Sequence, residues 1–355
     1  MILAAAAHLR RGGLVAFPTE TVYGLGADAT NPEAIARVFA AKGRPSHNPL
    51  IVHVDGETMA QGLVERWTSD ARKLAAAFWP GPLSLVLPKK PLIPDLVTGG
   101  GRSVAVRCPD HEMTRRLIAA AGVPLVGPSA NKSGFVSPTS AEHVRKEFEE
   151  AVVLVESAGP GRPRSHADAD LITILVLDGG MCTKGIESTV VRLPSAIGDA
   201  VVVLRQGVIS ADEIARVLGR SVDVQSANTQ TPVADAALES PGLLDRHYAP
   251  RTRAFRFEAA RWPDVLDALL DLEDQDGREA RGVVLTIGSR SVPSPHVRLV
   301  MPSEPRAYAA RLYAALREAD DCGATAIYVE TPPDNGDPVW SAIADRVRRA
   351  TEALA

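Results

Sequence analysis

Four clusters of polar residues carry the groups that can do chemistry, and each lies in a Gly/Pro-rich loop beside an apolar strand. They are PTETVYGL from Pro18, KGRPSHNPLIVH from Lys42, SVAVRCP from Ser103 and GPSANKSGFVSPT from Gly127. Together they supply several cations, several hydroxyls and two Asn amides, but no nucleophile paired with a base. Such a set favours positioning and charge stabilisation around a phosphate over covalent catalysis.

Each cluster can also be interpreted as having no functional role. The first and fourth can be plain turns with solvated hydroxyls. Lys42 and Arg44 stand at a predicted helix end, where cations interact favourably with the helix dipole. That interpretation does not explain why two prolines bracket Asn48 before a buried strand. Arg107 closes an apolar strand, so we expect its planar fork to point outward and bind a carboxylate or phosphate, or to pair with a surface acid.

Alternating strands and helices must position these loops. From Leu14 we interpret the chain as a strand, a turn at Pro18 and a loop of small residues. Asn31 is typical of an N-cap before a helix that ends at Gly43. The hydrophobic pattern predicts further strands near 49–54, 83–87, 103–107, 125–127, 151–156, 189–193 and 201–205. It predicts helices at 69–78, 111–121, 141–148 and 211–218. The irregular alternation favours a mixed α/β sheet.

The second half of the chain has a different organisation. Regular pattern fades between about 221 and 250, which indicates a linker. After it, strands are predicted at 254–257, 282–287, 297–301 and 325–330, with helices at 262–272, 305–319 and 339–353. We therefore predict a first domain at 1–220, a linker at 221–252 and a smaller C-terminal domain at 253–355.

Composition limits the class of protein. A chain of 355 residues favours two domains, and 45% hydrophobic with 23% charged residues is typical of soluble globular proteins. The net charge of −4 and the absence of a basic run argue against a stable complex with nucleic acid. Three widely spaced cysteines favour a reducing cytoplasm over a zinc or disulfide framework. No apolar stretch approaches the ~20 residues of a membrane span.

A family resemblance rests on several strings in order: FPTETVYGLG, AKGRPSHNPLIVHV, WPGPLSLVL, SVAVRCP, GPSANKSGFVSPT, GIESTVV and VLRQG. They resemble the YrdC-like domain of threonylcarbamoyl-AMP synthases. SPGLLDRHYAP is similar to the linker motif of the long, two-domain branch. The resemblance covers about residues 10 to 250, and the rest fits by pattern and position. It implies a YrdC-like twisted mixed sheet, a linker and a smaller Rossmann-like C-terminal domain.

The resemblance also implies a reaction. L-threonine, bicarbonate or CO2, and ATP would give threonylcarbamoyl-AMP and pyrophosphate, for N6-threonylcarbamoyladenosine modification of tRNA. This is a nucleotidyltransferase activity, with Mg2+ carried on the ATP and no metal ligand from the protein. A hand-off of the product to the tRNA threonylcarbamoyl transferase stays open.

Site residues follow from the same resemblance, motif by motif. The residues expected to hold threonine are Thr19, His53, Arg107, Ser129 and Ser188. Those expected to hold ATP are Lys42, Arg44, Asn48, Ser103, Asn131, Ser137, Arg205, His247 and Tyr248. Lys42 and Arg44 would also be catalytic, by stabilising charge as pyrophosphate leaves. His247 and Tyr248 would fold from the linker over the nucleotide as a lid.

Two other functions compete with this one. A carbamoyltransferase of the hydrogenase-maturation type contains a similar domain, but it needs paired CxxC motifs that this sequence lacks. A non-catalytic nucleic-acid-binding or regulatory YrdC-like module is the alternative from a different class. The acidic composition and the presence of Lys42, Arg44, Arg107 and Asn131 argue against that alternative.

Overall fold

The chain forms two compact units in the computed structural model. The structure describes residues 1–149, 152–154, 173–196, 199–225, 247–272 and 280–354. The first unit comprises the described residues of 1–133, 138–182 and 187–243. The second comprises those of 134–137, 183–186 and 244–355. No helix in the described ranges is long and apolar enough to cross a membrane.

The first unit is built on one mixed sheet. Its helices are α1 (Ile2–Arg10), α2 (Pro32–Lys42), α3 (Glu57–Leu63), α4 (Ser69–Phe78), α5 (Asp95–Thr98), α6 (Glu112–Ala121), α7 (Ala141–Glu147) and α8 (Ala211–Leu218). Its strands are β1 (Leu14–Phe17), β2 (Gly24–Asp28), β3 (Ile51–His53), β4 (Leu83–Pro88), β5 (Ser103–Arg107), β6 (Leu125–Val126), β7 (Val152–Leu154), β8 (Ile174–Val176), β9 (Thr189–Arg192), β10 (Val202–Arg205) and β11 (Asp223–Val224). The described strands lie in the order β11-β10-β9-β4-β5-β3-β6-β2-β1-β8-β7. Parallel and antiparallel pairs both occur, which confirms the predicted mixed α/β class.

Strand β1 separates two hydrophobic layers, because successive side chains of a strand point to opposite faces. Leu14 and Ala16 belong to the layer that contains Ile35 of α2. Val15 and Phe17 belong to a second layer, formed largely by α1 and α6. The sheet is therefore covered on both faces here.

Helix α2 follows the sequence prediction closely. The Asn31 side chain accepts hydrogen bonds from the backbone N–H groups of Glu33 and Ala34, at 3.0 and 3.2 Å. The helix ends at Gly43, whose φ of 60° lies in the left-handed region that favours glycine. Cap and stop signals thus place Lys42 in the last helical turn.

Strand β2 differs from the sequence prediction, which gave a loop there. Gly24 to Asp28 pair antiparallel with β1. Two glycines make room for the Phe17 ring: a Cβ added at Gly24 would lie 2.8 Å from a ring carbon, and one at Gly26 2.7 Å. The small residues that look like a loop in the sequence are the surface on which an aromatic ring packs.

The second unit is a smaller parallel α/β structure. Its elements are β12 (Ala254–Phe257), α9 (Trp262–Leu270), β13 (Gly282–Ile287), β14 (Val297–Met301), α10 (Pro305–Asp321), β15 (Ala326–Glu330), α11 (Pro338–Ala350) and β16 (Glu352–Ala353). The strand order is β14-β13-β15-β12-β16, and neighbouring strands run parallel. This agrees with the Rossmann-like expectation.

Two short segments from earlier in the sequence, 134–137 and 183–186, pack within the second unit. Ala249 donates its backbone N–H to the carbonyl oxygen of Gly134 at 2.9 Å. Gly185, with φ of 72°, lies directly against the backbone of α10 at Ala309 and Ala310. The second unit, whose main part begins at 244, therefore includes one segment, 134–137, more than a hundred positions earlier.

Candidate active site

The turn after β1 holds Thr19 in a dense local network. Its hydroxyl donates to the carbonyl oxygen of Val22 at 2.6 Å and lies 2.8 Å from the Thr21 hydroxyl. It also accepts the backbone N–H groups of Thr21 and Val22, at 3.1 and 3.2 Å. The Thr19 side chain is therefore held in one orientation by its own turn.

Arg107, at the end of β5, is buried instead of pointing outward as the sequence suggested. Its Nη2 lies 2.7 Å from Glu20 Oε1 in an ion pair whose two side chains are 4% and 3% exposed. Its Nη1 donates to the Thr21 hydroxyl at 3.0 Å, and its Nε donates to the Gly81 carbonyl at 3.2 Å. The acid that pairs with this arginine is thus an interior one, from the same turn as Thr19.

His53 ends β3 and lies opposite Arg107 in the parallel register with β5. Its ring packs edge-on against Phe17, with 5.3 Å between ring centroids. Burial, and then the positive charge of Arg107, lower the pKa of His53 to about 3. Its Nδ1 has no hydrogen-bond partner among the described residues. A neutral, buried ring with an unpaired nitrogen is typical of a position that binds a polar ligand.

Lys42 is buried, and its ammonium group contacts the loop after β6. Nζ donates to the carbonyl oxygens of Ser129 and Asn131, each at 2.5 Å. Burial lowers the pKa of Lys42 well below its usual value; the nearby Arg44 charge acts in the same direction, and Glu147 opposes it. The predicted catalytic lysine therefore organises the backbone that carries two other predicted ligands.

Arg44 and Asn48 form a second local group. Arg44 donates through Nε to the Asn48 carbonyl at 3.3 Å and through Nη2 to the Pro49 carbonyl at 2.9 Å. The Asn48 side chain is 0% exposed, and neither its oxygen nor its nitrogen has a hydrogen-bond partner among the described residues. Ser103 begins β5, the parallel neighbour of β3, so it lies at the same edge as Asn48 and about 13 Å along the strand from Arg107.

Ser188 and Arg205 are in direct contact, although the sequence assigned them to different substrates. Arg205 donates through Nε to the Ser188 carbonyl and through Nη2 to the Ser188 hydroxyl, both at 3.1 Å. The same hydroxyl lies 2.8 Å from that of Ser84 on β4. A predicted threonine-binding residue, Ser188, thus contacts a predicted ATP-binding residue, Arg205. Ser129 and Lys42 form a second such pair.

The remaining predicted ATP ligands belong to the second unit. Ser137 is fully buried. Tyr248 is 1% exposed, has a φ of 65°, and stacks on Tyr313 with 5.5 Å between centroids. His247 packs edge-on against the Tyr248 ring and donates its backbone N–H to the Arg349 carbonyl at 3.2 Å. Most of the predicted linker and lid, residues 226–246, lies outside the described residues.

Sequence reasoning did not select two residues that contact this network. Glu20 stands between two threonines in a loop otherwise poor in charge, and that isolated acid was the available signal. Ser84 is the one polar residue in the apolar run LSLVL, which likewise marks it. In the described ranges no group of three or more His, Cys, Asp or Glu side chains is arranged to hold a metal ion.

Both halves of the chain match known family models. Residues 7–172 match the family model for Sua5, YciO and YrdC proteins, described as "Telomere recombination". Residues 209–351 match "Threonylcarbamoyl-AMP synthase, C-terminal domain". The threonylcarbamoyl-AMP synthase of Pyrococcus abyssi is 36% identical over 98% of this chain and 93% of its own length. That of Bacillus subtilis is 38% identical over 98% and 92%.

A solved structure matches along almost the whole chain. The structure of P. abyssi Sua5 complexed with L-threonine has a TM-score of 0.81 at 33% identity, over 99% of this chain and 96% of that one. The sequence motifs, both domain matches and the fold lead to one assignment. The chain belongs to the threonylcarbamoyl-AMP synthase family, in the branch whose members carry both domains.

Proposed function

We propose that this chain condenses L-threonine, bicarbonate or CO2, and ATP to threonylcarbamoyl-AMP and pyrophosphate. In this scheme the threonine amine takes up CO2 to form a carbamate, and a carbamate oxygen attacks the α-phosphorus of ATP. The bond to the β-phosphate breaks, so the reaction is a nucleotidyl transfer. The product would serve N6-threonylcarbamoyladenosine modification of tRNA.

One observation supports a polar ligand at this site above the others. The Asn48 side chain is fully buried, and its amide has no hydrogen-bond partner among the described residues. A buried amide left without partners costs about 1–3 kcal/mol, so such a group is expected to bind something. Arg44 touches the Asn48 backbone, and the Lys42 pKa responds to the Arg44 charge. Polyphosphate is the substrate component that fits an unpaired amide beside two cations.

The roles of individual residues are part of the proposal. Thr19, His53, Arg107, Ser129 and Ser188 would hold threonine, with Arg107 on the carboxylate. Lys42, Arg44, Asn48, Ser103, Asn131, Ser137 and Arg205 would hold ATP. His247 and Tyr248 keep their proposed role as nucleotide ligands, which the ATP KM of a full-length His247→Ala variant would test.

Mg2+ would enter with ATP and lie on its phosphates, where it neutralises charge during transfer. The three cysteines are free thiols, in keeping with the cytoplasmic location that we propose. Transfer of the product to the tRNA-modifying transferase is a further part of this proposal.

The test is pyrophosphate release from ATP with and without threonine and bicarbonate. We expect release that requires both, with an adenylate that contains radiolabelled threonine. Release that ignores threonine would contradict the proposal. Salt-sensitive binding of tRNA without any turnover would favour the non-catalytic module instead.

A further inference from the structure

We propose that Glu20 is a positioning residue that presents the Arg107 guanidinium to the α-carboxylate of the amino-acid substrate. The inference rests on the proposed function, because it concerns the threonine site. It assigns a role to a residue outside the predicted ligand set. The burial of the pair, the geometry of the arginine donors and the anchoring of the glutamate support this role.

Glu20 balances the charge of Arg107 in the interior of the protein. Arg107 and Glu20 are both almost completely buried and lie 2.7 Å apart. A buried guanidinium without a counter-ion is strongly unfavourable, whereas the attraction within a close pair offsets part of the desolvation cost of both ions. Glu20 therefore lets a positive charge persist inside the protein at the end of β5.

The N–H donors of Arg107 are only partly used within the protein. A guanidinium has five N–H groups in a rigid plane. Among the described residues, Gly81 accepts from Nε and Thr21 accepts from Nη1, while Glu20 faces Nη2. Hydrogen bonds at Nε and Nη1, together with the ion pair at Nη2, fix the plane of the fork. Nη2 makes no hydrogen bond among the described residues, so both terminal nitrogens keep an N–H for a ligand. Two such N–H groups are the arrangement that binds a carboxylate through both oxygens.

Glu20 is itself held in place by the surrounding backbone. Its Oε2 accepts the backbone N–H of Asp110 at 3.2 Å, just before α6. Glu20 also lies in the turn that is closed by the Thr19 hydroxyl. The carboxylate thus connects the turn after β1, the end of β5 and the start of α6, so that it can define where the arginine lies.

The experiment compares L-threonine with L-threoninamide, which lacks the α-carboxylate, in the full-length protein. Affinities of both for wild type and Glu20→Gln are measured by competition in the pyrophosphate assay. We expect Glu20→Gln to weaken threonine about tenfold or more relative to threoninamide, because a misplaced fork loses a charge-assisted contact. The ATP KM should change little. The matched control is Glu65→Gln, since Glu65 is an exposed glutamate outside the predicted ligand set.

A merely structural role would weaken both ligands equally, and that result would overturn the inference. Tighter threonine binding in Glu20→Gln would also overturn it, because Glu20 would then compete with the substrate. If Glu20→Gln does not fold, Glu20→Asp decides: it keeps the charge but shortens the side chain, and unchanged discrimination contradicts the role. A wild type without threonine-dependent turnover would instead refute the proposed function itself.

Discussion

Lys42 Nζ lies 2.5 Å from the carbonyl oxygen of Asn131, so a predicted catalytic lysine is already bonded to the loop that carries another predicted ATP ligand. The same ammonium bonds the Ser129 carbonyl at the same distance. Lys42 therefore has two functions that substitutions can separate: it shapes a loop, and it supplies charge at the end of α2.

Lys42→Ala should abolish threonine-dependent pyrophosphate release. Lys42→Met, which keeps a long side chain without the charge, should do the same. Both should also lower the free energy of unfolding by about 1–3 kcal/mol, since two buried carbonyls lose their donor. Turnover and urea denaturation measure the two effects. Lys73→Met, at an exposed position on α4, is the control and should change neither. Near-normal turnover in Lys42→Ala would rule out the catalytic role.

Binding of ATP should take up protons through Lys42. In the free protein, burial and Arg44 lower the pKa of Lys42, and phosphates would raise it by favouring the charged form. Between the free and bound pKa values, binding therefore takes up about one proton, and ATP affinity falls as pH rises. Calorimetry in two buffers of different ionisation enthalpy measures the uptake. Lys42→Met should show none; wild type without uptake would contradict the role.

His53 should make the folded state less stable in acid. Its pKa is about 3 in the folded protein, below the ordinary value near 6.5, so the unfolded chain binds the proton more readily. Its contribution to stability is therefore complete above pH 6.5 and is lost as pH falls from 6.5 towards 3. Urea denaturation at pH 7.5, 6 and 5 should show a smaller pH dependence for His53→Phe. Equal slopes for the two proteins would refute the assignment.

Gly26→Ala should destabilise the first unit by about 1–3 kcal/mol, because the new Cβ meets the Phe17 ring at 2.7 Å. Gly62→Ala is the matched control: Gly62 lies within α3, and a Cβ there has no neighbour within 4 Å. Alanine is the better helix former, so this control should be neutral or slightly stabilising. Thermal denaturation compares the two, and equal effects would contradict the packing of Phe17 on β2.

Gly185→Ala should destabilise the second unit more than Gly323→Ala. Both glycines have a positive φ, 72° and 68°, so both substitutions carry a similar backbone cost. Only at Gly185 would the Cβ overlap the α10 backbone at Ala309 and Ala310; at Gly323 it meets nothing within 4 Å. The difference in unfolding free energy isolates the close approach. No difference would mean that segment 183–186 does not pack closely on α10.

Local signals in the sequence were enough to predict much of the fold. Helix α2 is capped by Asn31 and Gly43 as predicted, because N-caps and left-handed C-caps depend on neighbouring residues alone. The elements from β12 to α11 also follow the predicted pattern, since period 2 and period 3.6 hydrophobicity reflect burial on one face. The ordered motifs were likewise sufficient to identify the family.

The tertiary structure alone decided the contacts between distant positions. Gly24 to Asp28 pair with β1, and the Phe17 ring packs where Gly24 and Gly26 have no side chain; no local pattern contains that contact. Arg107 takes an interior partner, Glu20, 87 positions earlier in the chain, and Lys42 bonds backbone carbonyls at Ser129 and Asn131. A sequence states which charged groups exist. Folding decides which of them share a buried space, and hence which charges must be compensated there.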